Sequence, residues 1–242
     1  MTIDISIVKQ FSPLGYMRVA LNHGNRVLVS RDKNGSAHGI SVDLAKELAK
    51  NLNVELKFIE YERAIDVSSS AAKNEWDVCF LAVDPERAKT LDFTEPYIGI
   101  EGSYLAAAHC DAKDAVALVN SGAKIGSVEG SAYSLNLLRQ PVAKNLIMYG
   151  NIHAALDALD AQEVVAIAGI ANAMQGEANK RAGSRVLHPP FMEIRQAMAM
   201  PRGRQLASAF LKQFLADIAL KGDVGDILEN HGVDRNAAII PS

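Results

Sequence analysis

Arg87 is the residue whose type and position most clearly indicate chemistry with an anion. It follows the apolar residues 77–83 and the acidic, proline-containing residues 84–86. This pattern predicts a buried strand that runs into a Pro-started helical turn, with the arginine beside the carboxyl end of the strand, where open α/β sheets bind ligands. A guanidinium offers paired N–H donors that match a carboxylate or a phosphate. The alternative is a surface ion pair with one of the neighbouring acids, Asp84, Glu86 or Asp92.

A second stretch with anion-binding chemistry has the sequence Gly-Ser-Val-Glu-Gly-Ser-Ala at residues 126–132. It follows a predicted strand and opens a predicted helix, so backbone N–H groups after Gly130 and the Ser131 hydroxyl would point at a bound anion. Ser131 could equally serve only as the N-cap of that helix, and one residue can do both.

Polar side chains also follow the first predicted strand, at residues 16–21. Asn22, His23 and Asn25 lie at its end, on the sheet edge expected for Arg87. Their amides favour a small or polar ligand. The alternative is a loop in which the Asn and Gly residues support their own backbone.

Composition argues against several classes of function. Of the 242 residues, 49% are hydrophobic and the formal net charge is −3, so a core can be buried but no basic stripe suits nucleic acid. No run reaches the roughly 18 apolar residues of a membrane span. The histidines lack metal-site spacing and the chain has no nucleotide-binding loop or hydrolase elbow, so we expect no metal and no cofactor.

The first residues and the cysteines bear on the compartment. The start of the chain carries an early acid and lacks the basic and apolar regions of a secretory signal. Cys79 and Cys110 do not form a disulfide framework, and Cys79 is expected to be a buried, protonated thiol. Both features favour an intracellular protein.

The rest of the chain predicts strands that alternate with helices, which favours a parallel or mixed sheet covered on both faces. Ser41 is the expected N-cap of a helix that runs to Leu52, and Gly35 suits a turn position with positive φ. The other elements predicted in the first hundred residues are strands at 27–30 and 54–59 and a helix at 63–73.

Extended residues 99–105 predict a crossing into a second lobe, and residues 195–200 predict the return. We therefore predict an α/β fold with lobe 1 at 1–103 and 196–242 and lobe 2 at 104–195. In lobe 2 we expect strands at 124–128, 146–149 and 164–168 and helices at 131–139 and 152–159. After the return we expect a short helix at 227–232 and an amphipathic helix at 203–222 that buries Leu206, Phe210, Phe214 and Ile218.

Together with residues 39–45 and 76–97, this order resembles the type II periplasmic solute-binding proteins, family 3, of amino-acid ABC transporters. The resemblance covers residues 18–232 and implies two lobes, each a mixed sheet flanked by helices, that are joined by two crossing strands and close on a solute. Arg87 stands where the family's arginine grips a ligand carboxylate, and Gly130 and Ser131 match a turn that touches the same group. The implied function is binding of a small carboxylate-bearing solute, an organic acid or an amino-acid-like molecule.

The resemblance also implies a monomer, a transporter permease as partner and a place outside the cytoplasmic membrane, which conflicts with the intracellular expectation. Two positions depart from the family pattern. Asn25 stands near the usual aromatic residue, and Gly169 replaces the usual aspartate that pairs with the ligand ammonium group. Glu101 could replace that charge, or be merely solvated. The predicted ligand-binding residues are Arg87, Ser131, Gly130, Asn22, Asn25, Ala82, Glu101 and Gly169.

Two alternatives remain open at this level. The first is an enzyme on the same fold that resembles the cyclohexadienyl dehydratases, in which a carboxylic acid protonates a leaving hydroxyl in a water-poor cleft. Its candidate acids are Glu101, Glu129 and Glu193. The second is an intracellular ligand sensor.

Overall fold

The computed structural model describes residues 3–241. The chain divides into two compact units: unit 1 comprises residues 3–99 and 195–241, and unit 2 comprises residues 100–194. The α-helices are α1 (Ile5–Phe11), α2 (Ile40–Leu52), α3 (Ala64–Ser69), α4 (Ala115–Ser121), α5 (Ala132–Leu137), α6 (Ile152–Asp160), α7 (Ala171–Ala178), α8 (Gln205–Lys221) and α9 (Asp223–Asn230). The β-strands are β1 (Tyr16–Asn22), β2 (Ser30–Arg31), β3 (Ala37–His38), β4 (Glu55–Tyr61), β5 (Val78–Ala82), β6 (Leu91–Ala106), β7 (Ile125–Val128), β8 (Leu146–Tyr149), β9 (Ala166–Ile170) and β10 (Arg185–Pro201).

Unit 1 is built on a mixed sheet with the strand order β4-β1-β5-β10-β6. Strand β1 pairs in parallel with β4 and β5, and β10 runs antiparallel to β5. Parallel strands with helical connections bury both faces, which explains why all five residues of β5 are buried. The carboxyl ends of β1 and β5 therefore meet at one edge of the sheet, with Asn22 and Ala82 as the last strand residues.

The opposite edge of this sheet is fixed by a buried charge network. Asp77 is fully buried and accepts hydrogen bonds from the Arg18 backbone N, Nε and Nη2 atoms, each at 2.9 Å. It also accepts one from Arg204 Nη1 at 2.7 Å, and Arg204 Nη1 donates to the Gln10 carbonyl at 3.1 Å. The hydrogen bond to Asp77 raises the pKa of the Arg18 guanidinium. One carboxylate thus ties β1, the start of β5, the end of α1 and the start of α8.

Two local predictions for unit 1 are wrong. Helix α2 begins at Ile40 and its N-cap is Gly39, not Ser41, which lies buried inside the first turn. Gly39 has φ +130°, and a Cβ there would collide with the Leu28 carbonyl oxygen, so only glycine fits. The strand predicted at residues 27–30 begins only at Ser30, as β2, because a turn precedes it in which the Asn25 carbonyl accepts from the N–H groups of Leu28 and Val29, both at 3.0 Å.

Other elements of unit 1 differ from the prediction in their bounds or in which residues they bury. The predicted helix 63–73 is divided into α3 and a short 3₁₀ turn at Ala71–Lys73. Helix α8 ends at Gly222 with φ +88°, as expected, but Leu206 is 48% exposed. Phe214 and Ile218 are buried as predicted, whereas Ala207 and Leu211 are buried in place of Leu206 and the half-buried Phe210. The predicted glycine turn after β2 is confirmed by Gly35, with φ +83°.

The strands of unit 2 are hydrogen-bonded in the order β6-β9-β7-β8. Strand β7 pairs in parallel with β8 and β9, and β6 runs antiparallel to β9 through residues 102–106. Its helices pack on the sheet through a cluster of apolar side chains that includes Leu105, Leu156, Leu159, Ile167 and Met174. The predicted α/β fold, with a mixed sheet flanked by helices in each part, is confirmed. The crossing predicted at 99–105 belongs to one long strand, β6, which begins at Leu91.

Candidate functional site

Arg87 follows β5 after the short connection 83–86 and is the first residue of a 3₁₀ turn, Arg87–Lys89. Its side chain is only 4% exposed, and its Nη1 donates to the Ala82 carbonyl at 3.0 Å. The arginine is therefore buried and not at the surface, although Asp84, one of the acids proposed for a surface ion pair, lies near it. Glu86 instead contacts Lys89 at 2.6 Å. The structure places the arginine beside the carboxyl end of β5, as the sequence predicts, and fixes it to the last residue of that strand.

Asp84 is a neighbour that the predicted set of site residues leaves out. It is 3% exposed, its Oδ1 accepts from Glu86 N at 2.9 Å and its carbonyl accepts from Ala88 N at 2.9 Å. Burial lowers the pKa of the Arg87 guanidinium, and the nearby Asp84 carboxylate opposes that effect only in part. The site in unit 1 is thus a buried, oppositely charged pair on one helical turn. Its signal in the sequence is the acid that precedes Pro85.

The loop after β1 is held by its own asparagines. Asn22 Oδ1 accepts from Gly24 N at 3.0 Å, and Asn25 Oδ1 accepts from Val27 N at 3.2 Å. Asn25 is only 5% exposed, and His23 Nε2 contacts Glu60 Oε2 at 2.8 Å. Both amide oxygens therefore support the backbone, as the loop alternative expects. Ligand contacts by Asn22 and Asn25 stay predictions.

The turn before α5 is organised by three serines. Ser131 is the N-cap of α5, and its Oγ accepts from Ser134 N at 3.1 Å. Ser134 has one hydroxyl proton, which it donates to the Val128 carbonyl at 2.5 Å. The contacts of Ser134 Oγ with Ser131 Oγ at 2.7 Å and with Ser127 Oγ at 2.6 Å therefore have Ser134 as acceptor. The N-cap role of Ser131 is confirmed, and its hydroxyl proton is directed at Ser134.

Gly130, which precedes Ser131, has φ +67°. A residue with a side chain rarely adopts this left-handed conformation, so glycine is required there to turn the chain from β7 into α5. Ser127 and Ser134 are fully buried. Sequence reasoning missed both, because Ser127 on β7 and Ser134 in α5 cannot be told from solvated serines until the packing is known.

Gly169 lies on β9, opposite Ser103 of β6. A Cβ at this position would be 2.6 Å from Met174 Cε and 2.7 Å from Met174 Sδ. Met174 is 1% exposed and belongs to the core of unit 2. The glycine therefore leaves room for a buried methionine side chain.

We expect Gly169→Asp to lower the free energy of unfolding by about 1–3 kcal/mol, because the new side chain must displace Met174 from a packed core. Urea unfolding measures this loss. The matched control is Gly176→Asp, since a Cβ at Gly176 has nothing within 4 Å. The double variant Gly169→Asp, Met174→Ala should lose less free energy of unfolding than the two single variants lose together. Equal losses for Gly169→Asp and Gly176→Asp would contradict this packing account.

The three acids required by the dehydratase alternative are exposed: Glu101, on β6, Glu129, after β7, and Glu193, on β10. Among residues 3–241 no three His, Cys, Asp or Glu side chains are grouped so that they could hold a metal ion. Within the same described residues, no helix combines the length and apolar character that crossing a membrane requires. Cys79 is buried, and burial raises the pKa of its thiol, as expected for a protonated core residue.

Comparison with known proteins defines the family. The model of the bacterial extracellular solute-binding proteins, family 3, matches residues 17–233. The solute receptor for L-cysteine of Neisseria gonorrhoeae is 19% identical with a TM-score of 0.79, and the match covers 96% of this chain and 98% of that one. A mutant of ArgBP from T. maritima is 19% identical with a TM-score of 0.77, covering 93% of this chain and 99% of that one.

The ancestral amino acid-binding protein AncCDT-1, a precursor of cyclohexadienyl dehydratase, is 20% identical with a TM-score of 0.74. That match covers 92% of this chain and 97% of the ancestral protein. At such identities the likeness shows the common fold, which is the two-lobed fold of periplasmic binding proteins. The family model, which spans most of the chain, shows more: this protein belongs to the bacterial extracellular solute-binding proteins of family 3.

Proposed function

We propose that the chain is a solute-binding protein that binds a small carboxylate-bearing solute, an organic acid or an amino-acid-like molecule, through Arg87. The observation that supports this most is a guanidinium only 4% exposed at the carboxyl end of β5, held in place by the Ala82 carbonyl. Charge-assisted hydrogen bonds from a fixed guanidinium to a carboxylate are short and strong, and they gain strength where water is largely excluded.

The other proposed contacts are secondary to Arg87. Ser131 and Gly130 are proposed as a second anion-binding turn, where the Ser131 hydroxyl would exchange its Ser134 partner for the ligand. Asn22 and Asn25 are proposed to contribute their side-chain amides. Ala82 would contribute through backbone atoms, whereas Gly169 and Glu101 would shape the polar end of the ligand site. A transporter permease is the proposed partner, and a monomer is the proposed state.

We propose binding without chemical change. A dehydratase needs a carboxylic acid in surroundings with little water, which raise the pKa of the acid and protect the proton transfer. The candidate acids Glu101, Glu129 and Glu193 are all exposed, which gives this alternative no support. When a bound ligand is incubated with the protein and followed by NMR over hours, we expect it to be recovered chemically unchanged.

A thermal-shift screen tests the proposal. The purified protein is heated with small organic acids, the common L-amino acids and the amides of both classes, each at millimolar concentration. A ligand that binds only the native state raises the melting temperature. We expect carboxylates to raise it and the corresponding uncharged amides to fail. If no compound with a carboxylate shifts the melting temperature, the proposed function is wrong.

A further inference from the structure

Ser103 carries a buried hydroxyl for which the fold supplies no partner. The residue is 1% exposed, and within residues 3–241 its Oγ forms no hydrogen bond. A buried serine normally bonds a carbonyl or another hydroxyl, because a hydroxyl removed from water without a partner destabilises the fold. Ser127 and Ser134 of the same unit follow this rule through their mutual contact at 2.6 Å. Ser103 therefore retains an unused hydrogen-bond donor and unused acceptor sites.

The position of Ser103 in unit 2 is at the edge that holds the other candidate site residues. It pairs with Gly169, one residue before the carboxyl end of β9. Strand β7 runs parallel to β9, so the carboxyl end of β7, which leads into the turn with Gly130 and Ser131, lies at the same edge. Open α/β sheets bind ligands at the carboxyl ends of their strands. The unused hydroxyl therefore lies at the edge of unit 2 where a solute is expected.

The buried neighbours of Ser103 on its face of the sheet are apolar. Residues directly opposite in an antiparallel pair share one face, and so do alternate residues of a strand. Ser103 therefore shares its face with Leu105 and with the space next to Gly169 that Met174 fills. Glu101 lies on that face as well, but it is exposed, so water and salt screen its charge. A methionine side chain is unbranched and adaptable, which lets Met174 turn aside for a solute.

Helix α7 adds a preference for an oxygen atom. It begins at Ala171, directly after β9, and its residue Met174 packs against Gly169. In this described helix the first turn has no acid, and no side chain caps the N–H groups at its start. Such N–H groups and the helix dipole favour oxygen acceptors and disfavour an ammonium group. A hydroxyl donor, N–H groups without a side-chain cap and apolar surroundings together suit the oxygen of a hydroxyl or keto group.

We infer that Ser103 is a specificity-determining residue, which hydrogen-bonds an uncharged oxygen substituent of the carboxylate solute, as in 2-hydroxy and 2-oxo acids. The inference rests on the proposed function, because the carboxylate itself is bound elsewhere, through Arg87. It names oxygen-substituted organic acids as the solute class. It rejects amino acids, whose ammonium group would lose water next to Met174 without gaining a buried acid. The thioether of Met174 turns away from Gly169 when the solute is bound.

The test compares matched solutes with the wild type and Ser103→Ala. The probes are sets of acids that share one carbon skeleton, for example L-lactate, pyruvate, L-alanine and propionate, together with the corresponding sets of longer chains. Affinities are measured by isothermal titration calorimetry on the full chain. Alanine removes only the hydroxyl, which has no partner in the described part of the chain, so the variant should be at least as stable as the wild type.

We expect the wild type to bind a 2-hydroxy or 2-oxo acid about tenfold more tightly than the unsubstituted acid, which corresponds to one hydrogen bond, and more tightly than the amino acid. In Ser103→Ala the preference over the unsubstituted acid should disappear, while the affinity for the unsubstituted acid stays the same. The control is Ser121→Ala on α4, which removes a hydroxyl that donates to the Leu118 carbonyl at 2.7 Å. It should change none of these affinities.

The methyl resonance of Met174, identified by its loss in Met174→Leu, gives a second readout. It should shift when a 2-hydroxy or 2-oxo acid binds, because the thioether leaves Gly169. An unshifted resonance overturns the inference, as does tighter binding of the amino acid or an equal effect of Ser103→Ala on all acids of a set. Each of these outcomes leaves the proposed function intact. If no carboxylate of any kind binds, the proposed function and the inference are both wrong.

Discussion

Replacing Asp77 with alanine is expected to lower the free energy of unfolding by about 3–5 kcal/mol, as happens when a buried ion pair loses one partner. Asp77 is fully buried and receives charged hydrogen bonds from both Arg18 and Arg204. The substitution leaves two guanidinium groups without this carboxylate, one of them buried, and it removes the acceptor of the Arg18 backbone N–H. Urea or guanidinium unfolding followed by circular dichroism measures the change.

The control for Asp77→Ala is Asp160→Ala. Asp160 also forms a two-point contact with an arginine, at 2.7 and 2.9 Å from Arg181, but its side chain is 52% exposed. Exposed pairs contribute at most about 1 kcal/mol. Similar losses for the two variants would mean that burial does not set the importance of the Asp77 network.

Replacing Arg87 with alanine is expected to weaken binding of any carboxylate-bearing solute by about 2–5 kcal/mol. The reason is that the guanidinium supplies the charge and the paired donors while Ala82 fixes its position. The effect is measured by calorimetry with a solute that the thermal-shift screen identifies. Arg202→Ala is the matched control, because Arg202 is exposed and its nearest acid, Asp92, is 3.5 Å away.

Arg87→Ala should also cost stability, which the sequence alone does not suggest. The side chain is buried beside Asp84, so its removal takes a nearby positive charge away from a buried carboxylate. Affinity is therefore compared well below the melting temperature of the variant. An unchanged affinity in the folded variant would remove Arg87 from the site.

Local patterns predicted much of this fold. The apolar residues 77–83 predicted β5, and serine before an apolar run correctly predicted the cap of α5 at Ser131. The same reasoning failed at Ser41, because the helix start there is set by close contact of Gly39 with the Leu28 carbonyl. Contacts between residues distant in sequence decide such cases, and a single sequence does not display them.

For the candidate site, too, the sequence predicted some features and only the structure showed the others. The strand and turn pattern predicted the type and position of Arg87. Its burial, and the buried carboxylate of Asp84 near it, became visible only in the packed structure. Gly169 looked like the loss of a charge, but the fold shows it as the space needed by Met174. Position in sequence reveals a candidate residue, and its neighbours in space reveal what the residue can do.

The network around Asp77 also bears on the order in which the protein is made. Its members span from Gln10 to Arg204, so the carboxylate meets Arg204 only after residues 100–194 have been synthesised. Unit 2 is continuous in sequence and can fold on the ribosome as soon as it emerges, since domains fold as units during synthesis. Unit 1 completes its core last, and its amino-terminal half must wait, with part of its apolar surface uncovered, for α8 to arrive.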